Sequence, residues 1–387
     1  MSPADEATDP RAVAEQAGLV AAAWSPAGAP ATWQLTAAQF ETLRSDDELL
    51  AIAATVPPDR LPALLFQAAA TFLVLELDPE PLRSVFPRVG SPQPPLTSGF
   101  RAEYRAFCLD HRDRLLELCA SHRYQMNEVG RCGDLVPALA PGDAAERDIV
   151  LVDVGTGAGL ALHLDRYRYR YRDPAGAVTA IGDPGSPVVI ETQLRGGAAP
   201  PIPLRLPSIV ERVGIDVEPL DLTDERVLAW LAACIPQEVG AVARFHAAVE
   251  IAMANPARMV RGDACQFLPG VLASIPAGPL VCLTDSYVHV FFEPGQLERF
   301  QALVSEAGAE RDLDWVSIDP LVPMGPSASD SVLGIPVPSD LRERNRRDGV
   351  FGVIGRLSYR GGQRSVALLG IAHPGGAWLE WLTQGTR

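Results

Sequence analysis

The 387 residues suffice for one large core or two ordinary ones, and a 47% hydrophobic fraction is that of a globular chain. All 33 basic residues are arginine, which excludes a pyridoxal Schiff base, a P-loop lysine and a lysine nucleophile. The formal charge of −15 argues against a nucleic-acid partner, because phosphate contacts need a basic footprint.

The six cysteines, Cys108, Cys119, Cys132, Cys234, Cys265 and Cys282, show no C-x-x-C spacing and sit in apolar runs. They read as buried free thiols in a reducing cytoplasm, with no metal site expected. Residues 1–9 are acidic and carry no signal peptide. The longest apolar run, residues 61–77, is interrupted by Pro62, Gln67 and Glu76 and is too short to span a bilayer. A cytoplasmic protein without a membrane or nucleic-acid partner is the expectation.

Along the chain, apolar residues recur at spacings of three and four in residues 12–24, 36–43, 61–77 and 100–118, which predicts helices. Proline-rich loops such as Ser91-Pro92-Gln93-Pro94-Pro95 separate them. Another helix is expected over 126–139, ending at Pro141-Gly142. Residues 1–147 therefore read as an all-helical domain.

From Asp148 the pattern changes to alternating strands and helices, the mark of a parallel α/β sheet. Strands are expected at 149–154, 209–217, 259–261, 280–284 and 314–318, and helices at 160–165, 224–234, 239–254 and 294–307. Residues 349–359 and 364–371 flank Arg360-Gly361-Gly362-Gln363 and read as a terminal antiparallel hairpin. The fold class is thus a Rossmann-like α/β domain over 148–387, preceded by helices.

The first of these strands ends Asp153-Val154-Gly155-Thr156-Gly157-Ala158-Gly159-Leu160. Its three glycines let the backbone turn sharply and approach a ligand closely. A dinucleotide fingerprint would put its third glycine at Leu160. The spacing here, acidic-x-G-x-G-x-G, instead resembles motif one of the class I S-adenosylmethionine-dependent methyltransferases.

The next expected acid, Asp216, lies 63 positions beyond Asp153, where about 20 would be ordinary for a βαβ unit. The excess, at about 166–208, opens Arg166-Tyr167-Arg168-Tyr169-Arg170-Tyr171-Arg172. Strict alternation puts tyrosines on one face of a strand and arginines on the other. Residues 187–194 are expected to pair with it across the turn at 182–186, giving an inserted β-hairpin. Its arginines either face water or meet an acidic ligand or partner. A second unusual stretch, 319–348, is poor in periodicity, carries Arg342-Glu343-Arg344-Asn345-Arg346-Arg347, and reads either as a long loop at the edge where such folds bind substrate or as a solvated, charged helix end.

Resemblance to the class I methyltransferases implies S-adenosylmethionine as cofactor, with Gly155, Gly157 and Gly159 approaching it through the backbone. It puts Asp153 near the methionine portion, Asp216 on the ribose hydroxyls and Asp263 on the adenine amino group. A carboxylate at Asp216 also disfavours the 2′-phosphate of NADP. After the fourth strand, Asp285, Tyr287 and His289 are candidates to orient or deprotonate a methyl acceptor; His289 alternatively reads as a satisfied histidine in an apolar stretch. Asn127, Glu128 and Arg131, expected on one helix, form either an interdomain network or a lid over cofactor and substrate.

The stretches Gln125-Met126-Asn127-Glu128-Val129-Gly130-Arg131, Asp153 to Leu160 with Leu164-Asp165-Arg166-Tyr167, Gly182-Asp183-Pro184 and Gly214-Ile215-Asp216 resemble, in this order, the bacterial domain-of-unknown-function family 2332. That family is regarded as methyltransferase-like. The expectation is methylation of a small molecule. The alternatives are a ligand-binding or regulatory protein without methyl transfer, and a non-methylating S-adenosylmethionine-dependent enzyme.

Overall fold

The computed structural model describes residues 7–140, 147–321 and 331–382. The expected helix end at Pro141-Gly142 lies outside them, as do residues 1–6 and 322–330. Seven helices lead the chain: α1 (Pro10–Trp24), α2 (Gln34–Arg44), α3 (Asp47–Ala53), α4 (Pro62–Leu77), α5 (Phe100–Asp110), α6 (Arg112–Ser121) and α7 (Cys132–Leu139). Asp9 caps α1 by accepting the Arg11 N–H, with Pro10 at the first helical position. Helix α4 is buried on nearly every side and forms the centre of the helical layer.

Two helical expectations need correction. The helix expected over 100–118 breaks at His111, which leaves the helical region (φ −109°, ψ 23°) and stacks against Phe107. The helix expected over 126–139 begins only at Cys132. Residues 129–131 form a 3₁₀ turn, and Glu128 before it is extended and caps it by accepting the Gly130 N–H at 2.7 Å. Asn127, Glu128 and Arg131 therefore do not share one helix face.

The α/β part runs β1 (Asp148–Val154), β2 (Arg168–Arg172), β3 (Val178–Gly182), β4 (Val189–Arg195), β5 (Ser208–Asp216), α8 (Glu225–Cys234), α9 (Val239–Ala254), β6 (Arg258–Arg261), α10 (Ala264–Ser274), β7 (Leu280–Ser286), α11 (Gln296–Glu310) and β8 (Leu313–Pro320). It continues with the short pair β9 (Ser331–Val332) and β10 (Ile335–Pro336), α12 (Ser339–Asp348), the hairpin β11 (Gly352–Arg360) and β12 (Gln363–Ala372), and β13 (Trp378–Trp381). All but β9 and β10 join one sheet, ordered β3-β2-β4-β13-β12-β11-β8-β7-β1-β5-β6.

The five strands β6-β5-β1-β7-β8 are mutually parallel. Numbered along the chain, they take the order 3-2-1-4-5 of a doubly wound, Rossmann-like sheet. Because β5 and β7 lie on opposite sides of β1, a crevice opens beyond their carboxyl ends. Alternation along β1 divides the interior. Val150, Val152 and Val154 face a core continuous with the N-terminal helices, while Ile149 and Leu151 face a second core with α7 and α9.

The insertion differs from a lone hairpin. Strand β2 pairs antiparallel with β3, across a turn at 173–177, and parallel with β4. The expected partner is thus present with reversed direction, because β3 returns the chain before β4 begins. Strand β4 in turn pairs with β13, which the sequence did not suggest, so the insertion extends the main sheet. Tyr167, Tyr169 and Tyr171 are buried and donate to the carbonyls of Leu160, Leu164 and Gly133 at 2.6, 2.5 and 2.9 Å. Arg170, on the other face, pairs with Glu191 at 2.8 Å.

Within 319–348, β8 runs to Pro320, β9 and β10 form a short pair, and α12 carries Arg342 to Arg347, so the charged run is a helix. Among the described residues no helix is long and apolar enough to cross a membrane, and all six cysteines are free.

Candidate functional site

A cleft of about 880 Å³ lies between the helical layer and the carboxyl ends of β1, β5 and β7. Asp153, Gly155, Gly157, Asp216, Asp263, Asn127, Glu128, Arg131 and Tyr287 line it; Gly159, Asp285 and His289 do not.

Gly155 and Gly157 both take positive φ, 65° and 55°. A Cβ on Gly157 would stand 2.8 Å from Asn127 Oδ1, and one on Gly155 would stand 2.5 Å from the Val288 side chain. Only glycine fits either position. Each backbone N–H from Gly155 to Gly159 already has a protein acceptor. Those of Gly155 and Thr156 go to the Ile215 carbonyl, Gly157 to Asp216 Oδ2 at 2.8 Å, Ala158 to Asn127 Oδ1 at 3.0 Å and Gly159 to the Thr156 carbonyl. The segment after the loop is a 3₁₀ turn, Leu160–Arg166, with non-helical φ/ψ at His163, where an α-helix was expected. From Gly155 to Gly159 the loop therefore presents no spare N–H group, and no regular α-helix N-terminus follows it; these are the two devices that hold a phosphate.

Carboxylates border the loop instead. Asp153 is buried and accepts the Thr284 hydroxyl at 2.6 Å. Burial pushes its pKa up to about 6, against hydrogen bonds from Thr284 and Thr156 that lower it. Asp216 accepts the N–H groups of Gly157 and Glu218, both at 2.8 Å. Asp263 is the N-cap of α10, bonded by the Gln266 N–H, and also takes Gln296 Nε2 at 2.5 Å.

The segment before α7 closes the other side. Asn127 props the loop through Ala158, and Glu128 is paired with Arg244 at 3.2 Å. Arg131 donates to the Pro374 carbonyl at 2.7 Å and stacks 4.3 Å above the Tyr287 ring. Of the two readings offered for these residues, the hydrogen-bond network is what their contacts describe.

Tyr287 carries the strongest local signal. It is a non-glycine residue in the left-handed region (φ 61°), a conformation that costs energy and concentrates at functional sites. Its phenol is buried, with no hydrogen-bond partner among the described residues. Gly352 makes room for it, since a Cβ there would stand 2.7 Å from the phenol oxygen.

Asp285 and His289 lie outside the lining, in a buried network with Asp319, which the sequence reading missed. His289 Nδ1 is 2.8 Å from Asp319 Oδ2, and Nε2 is 3.5 Å from Asp285 Oδ1. Trp315 Nε1 and the Ser317 hydroxyl donate to Asp285 at 2.5 and 2.8 Å. Burial pulls the imidazole pKa down, but the Asp285 and Asp319 carboxylates outweigh it and raise it to about 9. A protonated imidazole donates hydrogen bonds and is not in the state of a general base, and neither Asp285 nor His289 lines the cleft. Among the described residues these three are the group whose metal-ligating atoms lie within 4.8 Å of one another; their hydrogen bonds are those of an ion-pair network tying β7 to β8. Asp319 had a readable signal: it is a fifth acid at the end of a parallel strand, after Asp153, Asp216, Asp263 and Asp285, in line with Trp315 and Ser317.

Residues 15–381 match the protein family described as "Uncharacterized protein conserved in bacteria (DUF2332)". The chain belongs to this family. Membership covers nearly the whole chain, including the helical layer, the insertion and β13. A search of the curated proteins found no match.

Proposed function

We propose that this DUF2332 protein binds S-adenosylmethionine over the glycine loop and transfers its methyl group to a small molecule. The observation that carries the reading is the loop's closed set of N–H groups beside three strand-end carboxylates. A pyrophosphate would find no free backbone donor between Gly155 and Gly159 and would meet Asp153 and Asp216. S-adenosylmethionine has no phosphate, is cationic at sulfur and amine, and offers ribose hydroxyls to carboxylates.

The methyl group is already activated, so the protein's task is to hold an acceptor in line with the S–CH₃ bond. A volume of about 880 Å³ is near the upper end of ligand pockets, about 300–1,000 Å³, which leaves room for both cofactor and acceptor. Tyr287, strained and with an unpaired phenol at the end of β7, is the side chain we assign to acceptor contact. Asp285, His289 and Asp319 hold the strand ends beneath it.

The test uses S-adenosylmethionine carrying a deuterated methyl group, incubated with the chain and panels of small neutral alcohols, phenols and amines. Recovery of the labelled methyl in one acceptor class, lost in Tyr287→Ala, supports the proposal. Cofactor consumption with the label in no acceptor favours a non-methylating reaction. Tight binding without any consumption favours a ligand-binding role.

A further inference from the structure

One side of the cleft is walled by the N-terminal helices. Its lining from α1, α2 and α4 contains no charged side chain, and the turn just before α4 adds Asp59 and Arg60. Four polar residues stand among apolar ones there: Thr36, Gln39, Gln67 and Thr71, at 5, 1, 7 and 1% exposure. Buried polar groups in an apolar wall are costly unless their hydrogen bonds are completed, so how theirs are completed is informative.

Gln39 Nε2 and Gln67 Nε2 both donate to the Thr71 hydroxyl oxygen, at 3.0 and 3.1 Å. Tyr104 donates to Gln67 Oε1 at 2.8 Å. Two donors converge on Thr71, so its own hydrogen cannot go to either amide nitrogen. Among the described residues Thr71 makes no bond to the carbonyl one turn before it, unlike Thr42, whose hydroxyl takes the Ala38 carbonyl at 2.7 Å. Each glutamine nitrogen also has a second hydrogen, beyond the one used on Thr71. The ladder Gln39–Thr71–Gln67 thus presents hydroxyl and amide donors, beside the Gln39 Oε1 acceptor, and no charge.

We propose that this ladder is the acceptor-binding subsite, and that it takes a neutral, mostly apolar molecule whose carbonyl oxygen accepts from Thr71 and the flanking amides. An anionic substrate group would find no counter-charge on α1, α2 or α4, and Arg60 in the turn before α4 is bonded to the carbonyls of Cys119, Ala120 and His122. A hydrocarbon without an oxygen acceptor would leave the Thr71 hydrogen unpaired in an apolar wall. The inference deepens the methyltransferase reading and rests on it for the word acceptor; the ligand chemistry of the subsite stands on the ladder itself.

The experiment titrates the full chain with Nile red, a neutral apolar dye with a ring carbonyl, and with anilinonaphthalene sulfonate as a charged counterpart. S-adenosylhomocysteine binding is measured on the same preparations. Saturable Nile red binding is expected, weakened about threefold to tenfold in Thr71→Val and retained in Thr71→Ser, with S-adenosylhomocysteine affinity unchanged in both variants. Equal Nile red affinity in wild type and Thr71→Val overturns the proposal, as does preferred binding of the sulfonate. If S-adenosylhomocysteine binds and Nile red does not, the ligand class is wrong while the cofactor reading stands. If neither binds, both fall.

Discussion

Both carboxylate oxygens of Asp216 accept a backbone N–H, so this residue organises the loop as well as facing the cleft. Its place, with Asp153 and Asp263, was legible because acids at the ends of parallel strands follow from strand pattern alone. Asp319 obeys the same rule, directly after a strand expected to stop at Ile318, and was overlooked. The charge state of His289 was not legible, since it depends on two carboxylates from β7 and β8 that only folding brings together. Its raised pKa makes a prediction with a definite sign. The folded-state value, about 9, exceeds the ordinary 6.5, so the imidazolium contributes fully below pH 6.5 and its contribution is lost as pH rises toward 9. Urea midpoints measured from pH 6.5 to 9 should fall for the wild type. His289→Gln should be less stable at pH 6.5 and show a shallower decline; parallel profiles would remove the ion pair from the account.

Strand β2 shows what an element's sequence does and does not carry. The Arg/Tyr alternation revealed both faces, because period two is diagnostic of a strand. The direction of its partner was hidden, because β3 is a mostly exposed edge strand with little apolar pattern. Helix α10 was hidden differently: Pro269 stands inside it, and proline ordinarily argues against a helix interior. The buried tyrosine face is structural, so Tyr171→Phe should cost about 0.5–1.5 kcal/mol for the lost bond to Gly133. Tyr171→Ala should cost about 3–5 kcal/mol for the emptied core. Arg168→Gln and Arg172→Gln, on the solvent face, should stay within about 0.5 kcal/mol. Chemical denaturation measures all four, and a larger arginine effect would show that this face is covered.

At the scale of the whole molecule, the chain divides by composition near residue 147, yet its hydrophobic core does not. Buried side chains of α1, α2 and α4 belong to the same cluster as Val150, Val152 and Val213 on the sheet. The sheet face and the helical layer complete each other's burial, and the cleft lies between them. Thermal unfolding should therefore be a single cooperative transition, with calorimetric and van't Hoff enthalpies in agreement; two resolved transitions would mean that the helical and α/β parts are stable separately. The places of the five parallel strands, the terminal hairpin and most helices were readable from periodicity. The continuity of the core and the role of β13 were not, because they arise from contacts distant in sequence.

The central claim is that the glycine loop and Asp216 form a site for a phosphate-free nucleoside cofactor. Calorimetric titration of the ligand-stripped chain with S-adenosylhomocysteine, with NAD as the control, tests it most directly. The account predicts micromolar binding, about −8 kcal/mol, weaker by about 1–3 kcal/mol in folded Asp216→Ala, and no binding of NAD. Binding of NAD in its place, or an affinity unchanged by Asp216→Ala, would contradict it.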